Sequence, residues 1–150
     1  MTITLKKITT QEEMGTHKAV RQTVFQLELG YKASDESDFN SKLNTDHHCY
    51  LFMVGDAVAG TCRWCENDRG YKIERFCLLP EFRGKGYAGV AMRAILSEIP
   101  KDQKIYLSSP ESMINYFERF GFTAKGNSFW DFGVISRYMK LKLQIEIRSI

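Results

Sequence analysis

The stretch Ile73-Glu-Arg-Phe-Cys-Leu-Leu-Pro-Glu-Phe-Arg-Gly-Lys-Gly-Tyr-Ala88 decides how this chain is read. An apolar run ends at Pro80, a basic, glycine-rich turn follows, and a helix begins after it. The first N–H groups of a helix have no internal partner and carry the positive end of its dipole. Gly84 and Gly86 have no side chain to hold the backbone away from a ligand, and Arg83 and Lys85 add positive charge. Such a turn suits a phosphate or a pyrophosphate. The phosphate loop GxxxxGK[ST] is absent, because Lys85 is followed by Gly86. Gly84, Gly86 and Gly89 fall at dinucleotide-loop spacing, but no acidic residue follows a strand at the distance that fingerprint requires.

A second block lies about thirty residues on, at Asn115-Tyr-Phe-Glu-Arg-Phe-Gly-Phe122. Met113, Tyr116, Phe117 and Phe120 recur at i, i+3, i+4 and i+7, which predicts one apolar helical face. Pro110 suits the first turn of that helix and Gly121 its stop. Arg83-Gly-Lys-Gly86-Tyr-Ala88 resembles the Arg/Gln-x-x-Gly-x-Gly/Ala signature of the GNAT superfamily of acyl-CoA-dependent N-acetyltransferases, in its small single-domain branch. Leu78-Leu-Pro-Glu-Phe82 resembles that family's approach to the loop, Asn115–Phe122 its late "FYEKxGF" helix, and Gly133–Met139 its final strand. The resemblance covers nearly the whole chain.

Working outward, residues 2–9 alternate as a strand, and Thr10-Gln-Glu-Glu13 is a capping box before a helix carrying Val20, Val24 and Leu27, which Gly30 ends. Residues 31–46 read as an acidic loop with Asp35, Glu36, Asp38 and Asp46. Strands are predicted at 49–54, 57–65 and 71–79, joined by turns at Gly55-Asp56 and 66–70. Val90, Ala91, Ala94 and Ile95 give the next helix its buried side. A short strand at 104–107, the Met113 helix and strands at 122–130 and 134–143 complete the chain. The order implies a mixed α/β (α+β) architecture, a mixed central sheet flanked by helices. The resemblance implies the GNAT fold, with 1–150 as one domain.

The chain has 150 residues, 43% of them hydrophobic and 26% charged, which indicates a globular protein of ordinary domain size. A net charge of +3, spread along the chain, gives no reason to expect nucleic acid as a partner. No apolar stretch reaches membrane-spanning length, and the N-terminus lacks a signal-peptide core, so the expected location is cytoplasmic. Cys62-Arg-Trp-Cys65 has no second pair to complete a zinc site, and its odd spacing in a strand sends the two thiols to opposite faces. With Cys49 and Cys77, four reduced thiols and no metal are expected.

The resemblance implies acetyl-CoA as acyl donor, with pyrophosphate on Arg83, Gly84, Lys85, Gly86, Tyr87 and Ala88. Phe76, Cys77 and Leu78 would hold the pantetheine arm, with Asn115 and Phe117 also at the donor site. The family reaction is direct attack of an amine on the thioester, helped by a base and often by a tyrosine acid. Here Tyr116 and Phe117 invert the order, so Phe117 stands where the acid is usual and Tyr116 lies about 100° away around the helix. Ser108-Ser-Pro110 and Ser136 also depart from common family residues, and Ser109 is a candidate substitute acid. Glu74, read in phase with Phe76 and Leu78, is the candidate base; the alternative is a structural pair with Arg63 or Arg75. Tyr31, Glu36 and Glu74 would line the acceptor pocket, with Asp35 beside them. The acceptor is a small-molecule or protein amine, and a homodimer is open through the sheet edges and the tail from Leu141. Two further readings follow: a catalytically weak acyl-CoA-binding or sensing module, and a transferase like the acyl-homoserine-lactone synthases, which Arg21–Phe25 and Glu36–Asn40 faintly resemble.

Overall fold

The computed structural model describes residues 2–31 and 46–142. These form β1 (Ile3–Lys7), α1 (Gln11–Arg21) running into a π-helical segment (Gln22–Glu28), β2 (His48–Val54), β3 (Ala57–Asn67), β4 (Gly70–Leu78), α2 (Tyr87–Glu98), β5 (Ile105–Pro110), α3 (Ile114–Glu118), β6 (Phe122–Asp131) and β7 (Val134–Leu141). Among the described residues the strands form one sheet in the order β1-β2-β3-β4-β5-β7-β6. The β4–β5 pair is parallel and the others antiparallel, so the expected mixed sheet is the one observed. Among the described residues no helix is long and apolar enough to cross a membrane. The expected loop with Asp35, Glu36 and Asp38, and the tail beyond 142, lie outside the described residues.

The local signals account for most boundaries. Thr10 caps α1 through the Glu13 N–H, and the Glu13 carboxylate accepts from the Thr10 and Thr9 N–H groups, completing the capping box. Gly55 takes a left-handed conformation in the β2–β3 turn, as expected for a tight hairpin. Two elements differ from expectation. β5 runs on to Pro110, which pairs with Ser136, because β7 lies alongside and extends the ladder. The late helix is correspondingly shorter: a 3-10 turn (Glu111–Met113) precedes α3.

One sheet face is covered by α2, through Ala91, Met92 and Ile95, and by Phe117 of α3; these pack on Phe52, Ile73, Phe76 and Leu107. Met92 takes a buried place where Ala94 was expected. The other face receives α1 and the π-helical segment. Met14 packs on Cys49 and Leu51, and Val20, Val24 and Phe25 pack with Tyr31 and Cys77.

A β-bulge at Arg75 sets the geometry of β4. Arg75 has φ +55, and the β3–β4 register slips between the Thr61–Cys77 and Arg63–Glu74 pairs, so β4 carries one extra residue opposite Cys62. Two neighbours hold this irregularity. The Thr61 hydroxyl donates to the Arg75 carbonyl at 3.1 Å, and the buried His17 ring lies 3.3 Å from the Cys62 carbonyl. Arg21 lies 2.9 Å from His17 Nδ1. A guanidinium can only donate, so Nδ1 accepts and Nε2–H donates to Cys62.

Burial first, and then the Arg21 charge, push the His17 pKa down to about 3 from 6.5, with Arg63 and Arg75 acting in the same direction. The folded protein therefore holds His17 neutral. Below pH 6.5 the unfolded chain takes up a proton that the folded chain refuses, so this contribution to stability is complete above pH 6.5 and is lost as pH falls toward 3. Denaturant unfolding at pH 7, 6 and 5 should show wild type losing up to about 1.4 kcal/mol per pH unit from this group. His17→Gln should lack that component of the slope; equal slopes would mean that His17 titrates normally.

Candidate active site

Strands β4 and β5 pair only through Tyr71–Ile105, Lys72–Tyr106 and Ile73–Leu107. Beyond that they part, and a cavity of about 510 Å³ opens between them. The ladder with β5 ends at Ile73, so Phe76, Cys77 and Leu78 line the gap with their backbone edge turned toward it. The cavity continues to Arg83, Gly84, Gly86, Tyr87 and Ala88, and Phe117 of α3 forms part of its wall. The two blocks that stood out in sequence thus meet at one cleft.

The turn before α2 is open at both of its glycines. Gly84 and Gly86 have φ of +73 and +80, and a Cβ at either would meet nothing within 4 Å. Their glycines therefore answer a conformational demand and not a packing one. No side chain caps α2, and its first residues, Tyr87, Ala88 and Gly89, line the cleft. Arg83 Nε donates to the Leu78 carbonyl at 2.9 Å, tying the turn to the end of β4. Lys85 and Asn115 are exposed and stand outside the lining.

The bulge overturns one expectation. One extra residue at Arg75 reverses the alternation, so Tyr71, Ile73, Phe76 and Leu78 share the α2–α3 face while Glu74 falls on the α1 face, opposite Arg63. Glu74 still lines the cavity, but as the centre of a charge cluster. Its Oε1 accepts from Arg63 Nε at 3.2 Å and lies 3.1 Å from Arg63 NH2 and 3.9 Å from His47 Nε2; Lys72 Nζ is 3.5 Å from Oε2. Burial pushes the carboxyl up, but Arg63 and then Lys72 outweigh it and hold the group below its ordinary value. Of the pairings weighed in sequence, Arg63 is the one formed.

Ser109 is fully buried, and its hydroxyl donates to the Pro110 carbonyl at 2.9 Å, away from the lining. The longer β5 turns it inward, so it is not available as an acid. Tyr116, expected to point away, also lines the cleft, with its ring 5.1 Å from that of Phe117. Burial raises its phenol above the ordinary range. Cys77 lines the cavity too, but burial pushes its thiol up to about 11, which removes it as a thiolate nucleophile at neutral pH.

Tyr31 lines the same cavity, while Glu36 lies outside the described residues. Around Tyr31 stand residues that sequence reasoning missed. The Arg75 guanidinium sits over Phe132 at 4.5 Å and over Phe25 and Tyr31 at 5.1 Å each, and Tyr31 stacks on Phe132 at 5.9 Å. Ser108 donates to Asp131 at 2.8 Å beside them. Asp131 and Phe132 belong to the β6–β7 hairpin, which reaches the cleft because β7 inserts between β5 and β6. Glu28, at the end of the π-helical segment, binds both terminal nitrogens of Arg83, at 2.8 and 2.7 Å. No periodicity or motif signals these residues; the positive φ of Arg75 is a tertiary outcome.

The four cysteines are free, with Cys62 in the core and Cys65 on the other face. Among the described residues, His47, Cys65 and Glu74 bring ligand atoms within 4.8 Å of one another. A metal ion there would compete for Glu74 with Arg63 on one carboxylate oxygen and Lys72 on the other.

Comparisons with known proteins agree with this geometry. Residues 16–122 match the model of the acetyltransferase (GNAT) family. A Bacillus subtilis (strain 168) relative that carries an acetyltransferase name is 30% identical over 128 residues, covering 83% of this chain and 86% of its own. An acyl-CoA N-acyltransferase from Pseudomonas aeruginosa superposes with a TM-score of 0.76 at 21% identity, over 93% of this chain and 97% of that one. A GNAT family acetyltransferase from Elizabethkingia anophelis with acetyl-CoA bound gives 0.66 at 13% identity, over 94% and 98%. The splayed β4–β5 cleft, the glycine turn before α2 and the family match converge: the chain belongs to the GNAT family of N-acetyltransferases.

Proposed function

We propose that this protein transfers the acetyl group of acetyl-CoA to a primary amine by direct attack on the thioester, in the cytoplasm. The observation that carries the reading is the continuity of the parted β4 edge with the open turn at Arg83–Ala88. In this reading the pyrophosphate rests on main-chain N–H groups of the turn and the first turn of α2, and Arg83 and Lys85 supply charge. The pantetheine arm runs along Phe76, Cys77 and Leu78, and Phe117 packs beside the thioester. The acceptor enters from the side of Tyr31, Glu74 and Phe132 and is a small-molecule or protein amine.

The proton logic follows from the charge cluster. Glu74 stays ionised at neutral pH and takes the ammonium proton directly or through water. Its carboxylate is a weak base, but Lys72, Arg63 and Arg75 also lower the pKa of an ammonium placed beside them. A thiol has an ordinary pKa of about 8.5, so coenzyme A leaves as a thiolate without an obligatory acid.

Calorimetry with acetyl-CoA, followed by thiol release across a panel of amines, tests the reading. Micromolar binding with amine-dependent release is expected. Binding without turnover for any amine would favour the alternative, a donor-binding module, which the absence of a hydroxyl at Phe117 and the burial of Ser109 motivate. Phe117→Tyr should leave the rate equal or raise it, within the ~10²–10⁴-fold that a general acid supplies at most. A large loss would mean that the phenyl ring packs the acceptor.

A further inference from the structure

The Arg83 guanidinium faces a carboxylate where the proposed function brings a phosphate. Its Nε holds the Leu78 carbonyl at 2.9 Å, which fixes the head group at the cleft mouth. Its fork of NH1 and NH2 is filled by both oxygens of Glu28, the pairing geometry an arginine offers to carboxylate and phosphate alike. Both side chains line the cavity and both are partly solvent-accessible, at 43% for Arg83 and 34% for Glu28, so the pair can exchange partners without unfolding anything. Glu28 ends the π-helical segment, and Val24 and Phe25 of that segment line the same cavity. π-Helical turns are rare and concentrate at functional sites.

We infer that Glu28 is an internal competitor for the donor phosphates: it holds the Arg83 fork, weakens coenzyme A and acyl-CoA binding alike, and so speeds release of the product. This rests on the donor site proposed above. An anion arriving at the turn meets the full charge of Arg83 only after Glu28 lets go, and a fixed negative charge beside it opposes the phosphates throughout. Weaker binding of both substrate and product costs affinity, but it returns turnover wherever coenzyme A release is slow.

The test is Glu28→Gln, which keeps the shape and removes the charge, with Glu28→Asp as a charged control of shorter reach. Calorimetry on the full chain with coenzyme A and with acetyl-CoA should show Glu28→Gln binding both about 3- to 10-fold tighter at low salt, the gain shrinking at 0.5 M salt as screening removes the difference. Steady-state kinetics should show KM for acetyl-CoA and kcat falling together. Glu28→Asp should stay closer to wild type. Equal or weaker binding by Glu28→Gln overturns the inference and makes Glu28 a support for Arg83. Failure of wild type and both variants to bind any acyl-CoA would instead sink the donor site itself.

Discussion

Gly86→Glu loses acetyl-CoA binding, by 100-fold or more, while the protein remains folded. Two features at the turn produce this result. Gly86 sits at φ +80, where an L-residue costs about 1–2 kcal/mol, and it is the residue that caps α2. A Cβ there meets nothing within 4 Å, so no clash adds to that strain. A loss of 1–2 kcal/mol lowers the melting temperature of a chain this size by roughly 2–8 °C, which leaves the fold intact at 25 °C. The carboxylate, by contrast, stands at the mouth of the N–H cradle. It satisfies those donors from within and repels an arriving pyrophosphate. Calorimetry beside a thermal melt separates the two effects. Unchanged affinity in a folded variant would remove the pyrophosphate from this turn and undo the donor site.

The second large effect is on the fold. Gly60→Ala should cost about 3–5 kcal/mol, at the upper end of single substitutions. Gly60 pairs with Leu78, where β4 ends and the turn begins. A Cβ at Gly60 would lie 2.0 Å from the Cys77 carbonyl oxygen and 3.0 Å from both the Cys77 carbonyl carbon and Leu78 Cα. These are backbone atoms, so no rotamer change relieves the overlap; β3 and β4 must separate where β4 lines the cleft. Gly15→Ala is the matched control. Gly15 lies in α1 with nothing within 4 Å of a Cβ, and alanine there should stabilise by about 0.5–1 kcal/mol. Denaturant unfolding of both variants checks the pair. A mild effect at Gly60 would mean that the two strands are not held in this register.

Local chemistry wrote the elements plainly. Capping boxes, hairpin glycines and apolar spacing act within a few residues, so α1, the β2–β3 hairpin and the strand–turn–helix at 73–88 follow from neighbours in the chain. The cleft wall from Phe76 to Ala88 is legible for the same reason: it is continuous in the chain, with its glycines and cations together. Phe117 was reachable because its helix carries its own pattern.

The opposite wall of the cavity is different, because it is assembled from four distant pieces: the π-helical segment, β4, α3 and the β6–β7 hairpin. Glu74 shows how little suffices to mislead a local reading. Strict alternation puts it with Phe76 and Leu78, but one extra residue at Arg75 reverses the face and delivers it to Arg63 and Lys72. A bulge is selected by what can hold it, here the Thr61 hydroxyl and the His17 ring, and those partners come from elsewhere in the chain.

The sequence by itself determined the mixed sheet, the glycine-rich turn before α2 and the family, since each depends on contiguous residues and their periodicity. Only the tertiary structure decided that Glu74 is an ion-paired carboxylate on the α1 face, that Ser109 is buried, that Tyr116 reaches the cleft and that Glu28 occupies the fork of Arg83. The physical reason is range. Backbone propensity and capping are settled over a turn or two, whereas side-chain partners, burial and proton affinity depend on which distant surfaces the sheet brings together.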